Sequence, residues 1–135
     1  MLYSDVIEAP RITRVFKTSW FAKEVKKVHI KDMDLCEAIN EVEKGQCDDL
    51  GGEVYKKRLN KNLHRSIVIS KGGLNWIYQY LFAKKDRDNI DGKELEGFRK
   101  LAKGYAGLTE QQLVRLLVDK DLTEICNGDE RKIQK

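Results

Sequence analysis

Nowhere does the 135-residue sequence hold an apolar run near the roughly 20 residues that a membrane-spanning helix needs. No transmembrane segment is therefore expected. The first ten residues lack a basic stretch and reach Asp5 and Glu8 at once, which predicts no signal peptide. Cysteine is scarce: Cys36, Cys47 and Cys126 are odd in number and never spaced Cys-x-x-Cys. That pattern argues against a disulfide framework or a structural zinc site and predicts reduced thiols in a cytoplasm. A glycine-rich phosphate loop and a Gly-x-Ser-x-Gly elbow are both missing. Asp48-Asp49 and the scattered carboxylates show no metal-site spacing, so a metal-dependent nuclease is not expected. There is no internal repeat and no low-complexity segment.

What remains is a soluble globular composition, 41% hydrophobic and 36% charged. At this length a single domain buries about two-thirds of its unfolded surface. We place that domain at residues 1–126, followed by a polar, fraying tail at 127–135.

The only proline, Pro10, precedes a β-branched stretch that predicts a strand over residues 11–18. Ser19 is the expected N-cap of a helix running towards Val28, with Phe21, Val25 and Val28 on one stripe. A second helix is expected from Asp32 or Asp34, carrying Leu35, Ile39 and Val42 and stopping at Gly45. Three strands should follow, at residues 54–59, 65–70 and 74–82. Lys71-Gly72-Gly73 would turn the last two into a hairpin. Period two puts Trp76, Tyr78, Tyr80 and Phe82 on one face of the third strand, and Ile77 and Leu81 on the other. We read these aromatics as core rather than as a stacking platform.

Beyond Asn89 the period returns to 3.6. Leu95, Phe98, Leu101 or Ala102, and Tyr105 line a helix that should end at Gly107. Thr109 to Gln112 forms a capping box for another, bearing Leu113, Leu116 and Leu117. Residues 121–125 suggest a short edge strand. The order of elements gives the α+β class: a twisted antiparallel sheet with the two N-terminal helices packed on one face, and two C-terminal helices.

Charge is concentrated in one place. Residues 54–87 hold nine Lys or Arg and one acid, a net +8 in a chain whose total is +4, so the rest carries −4. A local excess of this size attracts polyanions. Period two turns Lys56 and Arg58 to one face and Tyr55 and Leu59 to the other, so the two cations should meet solvent. Arg65 opens the next strand, and Lys84, Lys85 and Arg87 leave the third. Converging cations suit a phosphodiester, because they grip phosphate oxygens and stabilise added negative charge. Cutting RNA through its own 2′-hydroxyl needs a proton acceptor, a cation for the phosphorane and a proton donor for the leaving oxygen. Lys56 or His64 would be the acceptor, lysine only if crowding or burial lowers its pKa.

Three strings then carry a resemblance: Val54-Tyr-Lys-Lys-Arg-Leu59, His64-Arg65-Ser-Ile-Val-Ile69, and Tyr80-Leu-Phe-Ala-Lys-Lys-Asp-Arg-Asp-Asn-Ile90. They resemble the core of RelE-type toxins of bacterial toxin–antitoxin pairs. Arg14-Val-Phe-Lys-Thr-Ser-Trp-Phe-Ala22 and Leu50-Gly-Gly-Glu-Val54 resemble a longer cytosolic, HigB-like subgroup of the same superfamily. The resemblance spans about residues 14–126. It implies a small α+β toxin that cleaves mRNA, in many members on the ribosome and without a metal or other cofactor, and that a cognate antitoxin silences. Position by position it implies catalytic roles for Lys56, Arg58, Arg65 and Lys85, with Lys57, Lys61, His64, Lys84 and Arg87 binding RNA around them. Two departures stand out. Arg58 and Lys85 each exchange one cation type for the other. The C-terminal tyrosine of some members would fall near Asp91, leaving Tyr80 or Tyr105 to supply it. Relatives of the same fold poison gyrase, so a non-enzymatic binding module is the competing reading.

Overall fold

The computed structural model describes residues 13–126, so residues 1–12 and the expected tail lie outside the described residues. It is an α+β fold with a six-stranded, mostly antiparallel sheet and four helices. In chain order these are β1 (Arg14–Thr18), α1 (Ser19–Lys27), α2 (Asp32–Glu43), β2 (Asp48–Gly51), β3 (Val54–Leu59), β4 (His64–Lys71), β5 (Asn75–Ala83), α3 (Gly92–Ala106), α4 (Glu110–Val118) and β6 (Leu122–Cys126). No helix among the described residues is long and apolar enough to cross a membrane.

The strand order is β2-β3-β4-β5-β1-β6. One pairing departs from the antiparallel expectation. β1 lies parallel to β5, with Arg14 beside Asn75 and Lys17 beside Tyr78. Parallel neighbours need a long crossover, and α1, α2 and the three strands after them supply it. β6 is the predicted edge strand and runs antiparallel to β1.

Burial explains why the elements pack. Phe21, Val25, Leu35, Ile39 and Val42 from α1 and α2 form one cluster with Val15, Val68, Trp76 and Tyr78. Val54, Ile67, Ile69 and Phe82 form a second with Ile90 and Ala102, and Phe16 and Ile77 form a third with Leu113 and Leu122. Successive strand residues, such as Ile67, Val68 and Ile69, alternate between clusters, as the pleat requires.

The uniform alternation expected along β5 does not hold. Ile67 pairs with Tyr80 but Val68 pairs with Tyr78, so Gln79 is an extra residue in its strand. The bulge shifts the phase. Trp76 and Tyr78 join the α1–α2 cluster together with Leu81, whereas Tyr80 and Phe82 join the cluster under α3. Gln79 takes the hydroxyl hydrogen bond of Tyr105 at 2.9 Å.

Three further expectations need correcting. Thr18, not Ser19, caps α1: its hydroxyl accepts from the Phe21 N–H at 3.1 Å, one residue earlier in the chain. β2 was missed because Asp48, Asp49 and Gly51 have low strand propensity. Arg99 of α3 clamps it by donating to the carbonyls of Leu50 and Gly51. Gly52 (φ +67°) sits so close to that side chain that a Cβ would lie 2.8 Å from Arg99 Cγ. Finally, Cys36 and Cys126 form a disulfide, Cα–Cα 6.2 Å, joining α2 to β6 across 90 residues of sequence. Spacing cannot reveal such a pair, because the fold alone brings the two buried thiols together. Cys47 stays free.

Candidate nucleic-acid interface

The turn from β3 to β4 sets the geometry of the site. Asn60, Lys61 and Asn62 have φ of 54°, 54° and 72°, three left-handed residues in succession. Asparagine tolerates this region, but lysine has no local hydrogen bond to compensate, so the tip carries backbone strain. Arg65 holds it. Its guanidinium donates to the carbonyls of Asn62 (3.0 Å) and His64 (3.3 Å), and the residue is only 7% exposed. Arg65, expected among the converging cations, instead has its polar end bent back onto its own turn.

Other expected site residues are also engaged inward. Lys57 is buried, its ammonium bound to Glu41 at 2.8 Å and donating to the Gln46 carbonyl at 3.0 Å. Lys56 faces Asp48 of β2 at 3.4 Å and retains little exposure. Arg87 is gripped by both oxygens of Glu94, donates to the Asn89 carbonyl, and lies 5.5 Å over the Phe82 ring. The hydrogen bonds within this pair raise the Arg87 pKa and lower that of Glu94. Arg58, Lys61, Lys84 and Lys85 are exposed, and none is in an ion pair among the described residues.

Cross-strand register shows which groups meet. Arg58, Arg65 and Phe82 form one row across β3, β4 and β5, and Leu59, His64 and Ala83 form the next. The Lys84 N–H then donates to the Leu63 carbonyl at 2.9 Å, tying the end of β5 to the turn. His64, Lys84 and Lys85 consequently line one cavity of about 680 Å³ with Leu63 and Val28. A second cavity of about 360 Å³ adjoins it, sharing Val28, His64, Ala83 and Asp86 and reaching Trp20 and Tyr80. His64 stands where the two join. Burial, then the positive charge of Lys85, lowers its pKa from 6.5 against the opposing pull of Asp86. Its Nδ1 lies 3.2 Å from the Asn60 amide, which orients the ring.

Lys56 is not part of this groove. It lines a separate cavity beside Cys47, Asp48, Lys57 and Arg58. The expected single groove is therefore divided in two, with Arg58 at the β3 side of one part and Lys85 in the other. Among the described residues, no group of three or more His, Cys, Asp or Glu is placed to hold a metal ion.

Asp91 does not stand in for a tyrosine; it caps α3, accepting from the Glu94 N–H at 2.8 Å. Tyr105 is partly buried, and burial pushes its pKa up to about 12. The residue that sequence reasoning overlooked is Trp20. It lies off the Phe21–Val25–Val28 stripe of its helix, and that offset was the signal that its ring would be left outside the core.

The model of one protein family, described as RelE toxin of RelE / RelB toxin-antitoxin system, matches residues 13–125. No curated protein and no solved structure matches the chain.

Proposed function

Because the chain belongs to the RelE toxin family of toxin–antitoxin systems, we propose that it is an endoribonuclease that cuts translated mRNA without a metal, on the ribosome, until a cognate antitoxin covers it. The observation that carries this reading is the groove in which His64 stands between Lys84–Lys85 and the aromatic pair Trp20–Tyr80. A histidine with a lowered pKa is neutral at pH 7 and can accept a proton.

In this reading His64 takes the proton of the 2′-hydroxyl as O2′ bonds to phosphorus. Lys85 stabilises the charge on the phosphorane, and Arg58 binds a neighbouring phosphate from the other part of the divided groove. The P–O5′ bond then breaks, an ammonium of the Lys84–Lys85 pair protonates O5′, and a 2′,3′-cyclic phosphate and a 5′-hydroxyl are left. Lys61 binds flanking phosphates from the turn. Arg65 and Lys56 are positioning residues: Arg65 shapes the turn that carries His64, and Lys56 holds Asp48 beside Arg58. Lys57 and Arg87 keep α2 and α3 in place through Glu41 and Glu94.

The separation of Lys56 from Lys85 favours a second reading, a binding module of the same fold without nuclease activity. Expressing wild type and Lys85→Ala in cells and mapping mRNA 5′ ends decides between them. The nuclease should produce reproducible cuts that the variant loses. Identical patterns, or no cuts from either protein, leave the binding module in its place, and cleaved DNA would indicate a gyrase poison.

A further inference from the structure

Trp20 is 44% exposed, a large apolar ring left in water on a protein that buries its other tryptophan to 6%. It is not loose. The indole stacks on Tyr80 with centroids 5.3 Å apart and planes 18° from parallel. Tyr80 is in turn packed against Phe82 and Phe98, each at 5.9 Å, and its hydroxyl accepts from Arg87 at 3.5 Å. One face of the indole is thus fixed to a rigid aromatic stack, while its ring lines the cavity that continues past His64 to Lys84 and Lys85.

The exposed Lys84 and Lys85, in no ion pair among the described residues, stand in this groove beside Asp86, and Glu24 is paired with Lys27. A flat, immobilised aromatic surface at the end of such a groove matches single-stranded nucleic acid. Each base offers a π-face to stack, and each phosphate seeks a cation. Stacking gains most where the protein ring is ordered beforehand, since little conformational freedom is then lost on binding. Resting on the RNA-cleavage reading above, we propose that Trp20, backed by Tyr80, is the base-stacking subsite of this protein: it takes the nucleobase of an RNA strand whose phosphates run along Lys84 and Lys85.

The test uses the full chain carrying Trp76→Phe, so that Trp20 is the only fluorophore of its kind. Trp76 is buried with its indole N–H lacking a hydrogen-bond partner, so phenylalanine removes no polar contact there. Two probes are titrated at low salt: a short oligouridylate and an abasic ribose-phosphate oligomer of equal length. Oligouridylate should quench Trp20 and the abasic oligomer should not. Trp20→Ala, made in the native background and followed by anisotropy of labelled probes, should weaken oligouridylate binding about tenfold or more. It should leave the abasic affinity unchanged, and Trp20→Phe should restore most of the loss. Equal quenching by both oligomers, or oligouridylate binding that neither quenches Trp20 nor changes in Trp20→Ala, overturns the stacking subsite and leaves the RNA reading intact. Failure of the wild type to bind either oligomer overturns the subsite, whereas the RNA reading stands or falls on the mRNA cuts mapped in cells.

Discussion

Arg58 and Arg65 stand directly opposite each other on β3 and β4, yet only Arg58 reaches solvent. Like charges at facing positions of a ladder repel. The repulsion is relieved because the Arg65 guanidinium turns away into the carbonyls of Asn62 and His64. The two residues therefore answer differently to the same substitution. Arg65→Ala should lower unfolding stability by about 1.5–3 kcal/mol, the scale for hydrogen bonds made by a charged donor. Arg58→Ala should stay within about 0.5 kcal/mol of wild type. Urea unfolding of the two variants measures the difference, and equal losses would contradict the assignment.

Cleavage should separate residues by a different rule. Lys85→Ala should lower the rate of RNA cutting by about a hundredfold or more while the fold survives, and Arg58→Ala should weaken RNA binding with a smaller loss of rate. Lys71→Ala, whose ammonium only meets the Ala106 carbonyl at 3.4 Å, should cut at the wild-type rate. EDTA should leave the purified protein's rate unchanged, with ribosome integrity controlled separately.

His64 gives the pH dependence. Its pKa is lowered in the folded state, so the unfolded chain holds the proton more tightly. Stability linked to His64 is then complete above about pH 6.5 and is lost as the pH falls through the folded value. If His64 is the base, the cleavage rate should likewise be flat at neutral pH and fall off below about 6.5. Lys85→Ala removes the second cause of the shift. The His64 ring should then titrate at higher pH, though burial keeps it below 6.5. NMR titration of the imidazole protons reads this directly, and a midpoint unchanged by the substitution would refute the coupling.

The Cys36–Cys126 bond closes a long loop between α2 and β6. Its removal should cost about 2–5 kcal/mol, since such links act largely by restricting the unfolded chain. Cys126→Ser and chemical reduction should lower the melting temperature of the oxidised protein by similar amounts. Cys47→Ser, at the free thiol, should not.

Membership of the family implies an antitoxin. Its binding should be steered by the exposed cations around the β3–β4 turn and the end of β5. The association rate should therefore fall with added salt, because the encounter between opposite charges is screened. Stopped-flow mixing at two ionic strengths tests this, and a constant rate would argue against an acidic partner segment.

The elements that were legible in the sequence are those whose order is written locally. Thr109 and Gln112 cap α4 as their spacing predicts. Gly45 (φ +84°) follows α2, and Gly72 and Gly73 turn β4 into β5 at positive φ. What escaped depends on distant partners. β2 pairs with β3 and is held by Arg99 from α3, the Gln79 bulge lies in the pairing of β4 with β5, and the disulfide forms where α2 passes the end of β6. The cation positions were equally legible, but their use was not. Sequence cannot distinguish Lys57, bound to Glu41, from Lys85, which has no such partner.

The sheet order also governs when the protein can become itself. β1 is made first, yet its two neighbours are β5 and β6, so Arg14 waits for Asn75 and Thr18 for Leu122. Pairings so far apart in sequence close slowly, because chain entropy is lost before the contact rewards it. A chain emerging from the ribosome accordingly leaves β1 unpaired until β5 has been made, and its outer edge bare until β6 follows. β2, β3 and β4 can pair earlier, but α1 can bring Trp20 over Tyr80 only once β5, which carries Tyr80, has been made. The proposed groove of a toxin built this way therefore cannot assemble until β5 and the lysines that follow it have been made.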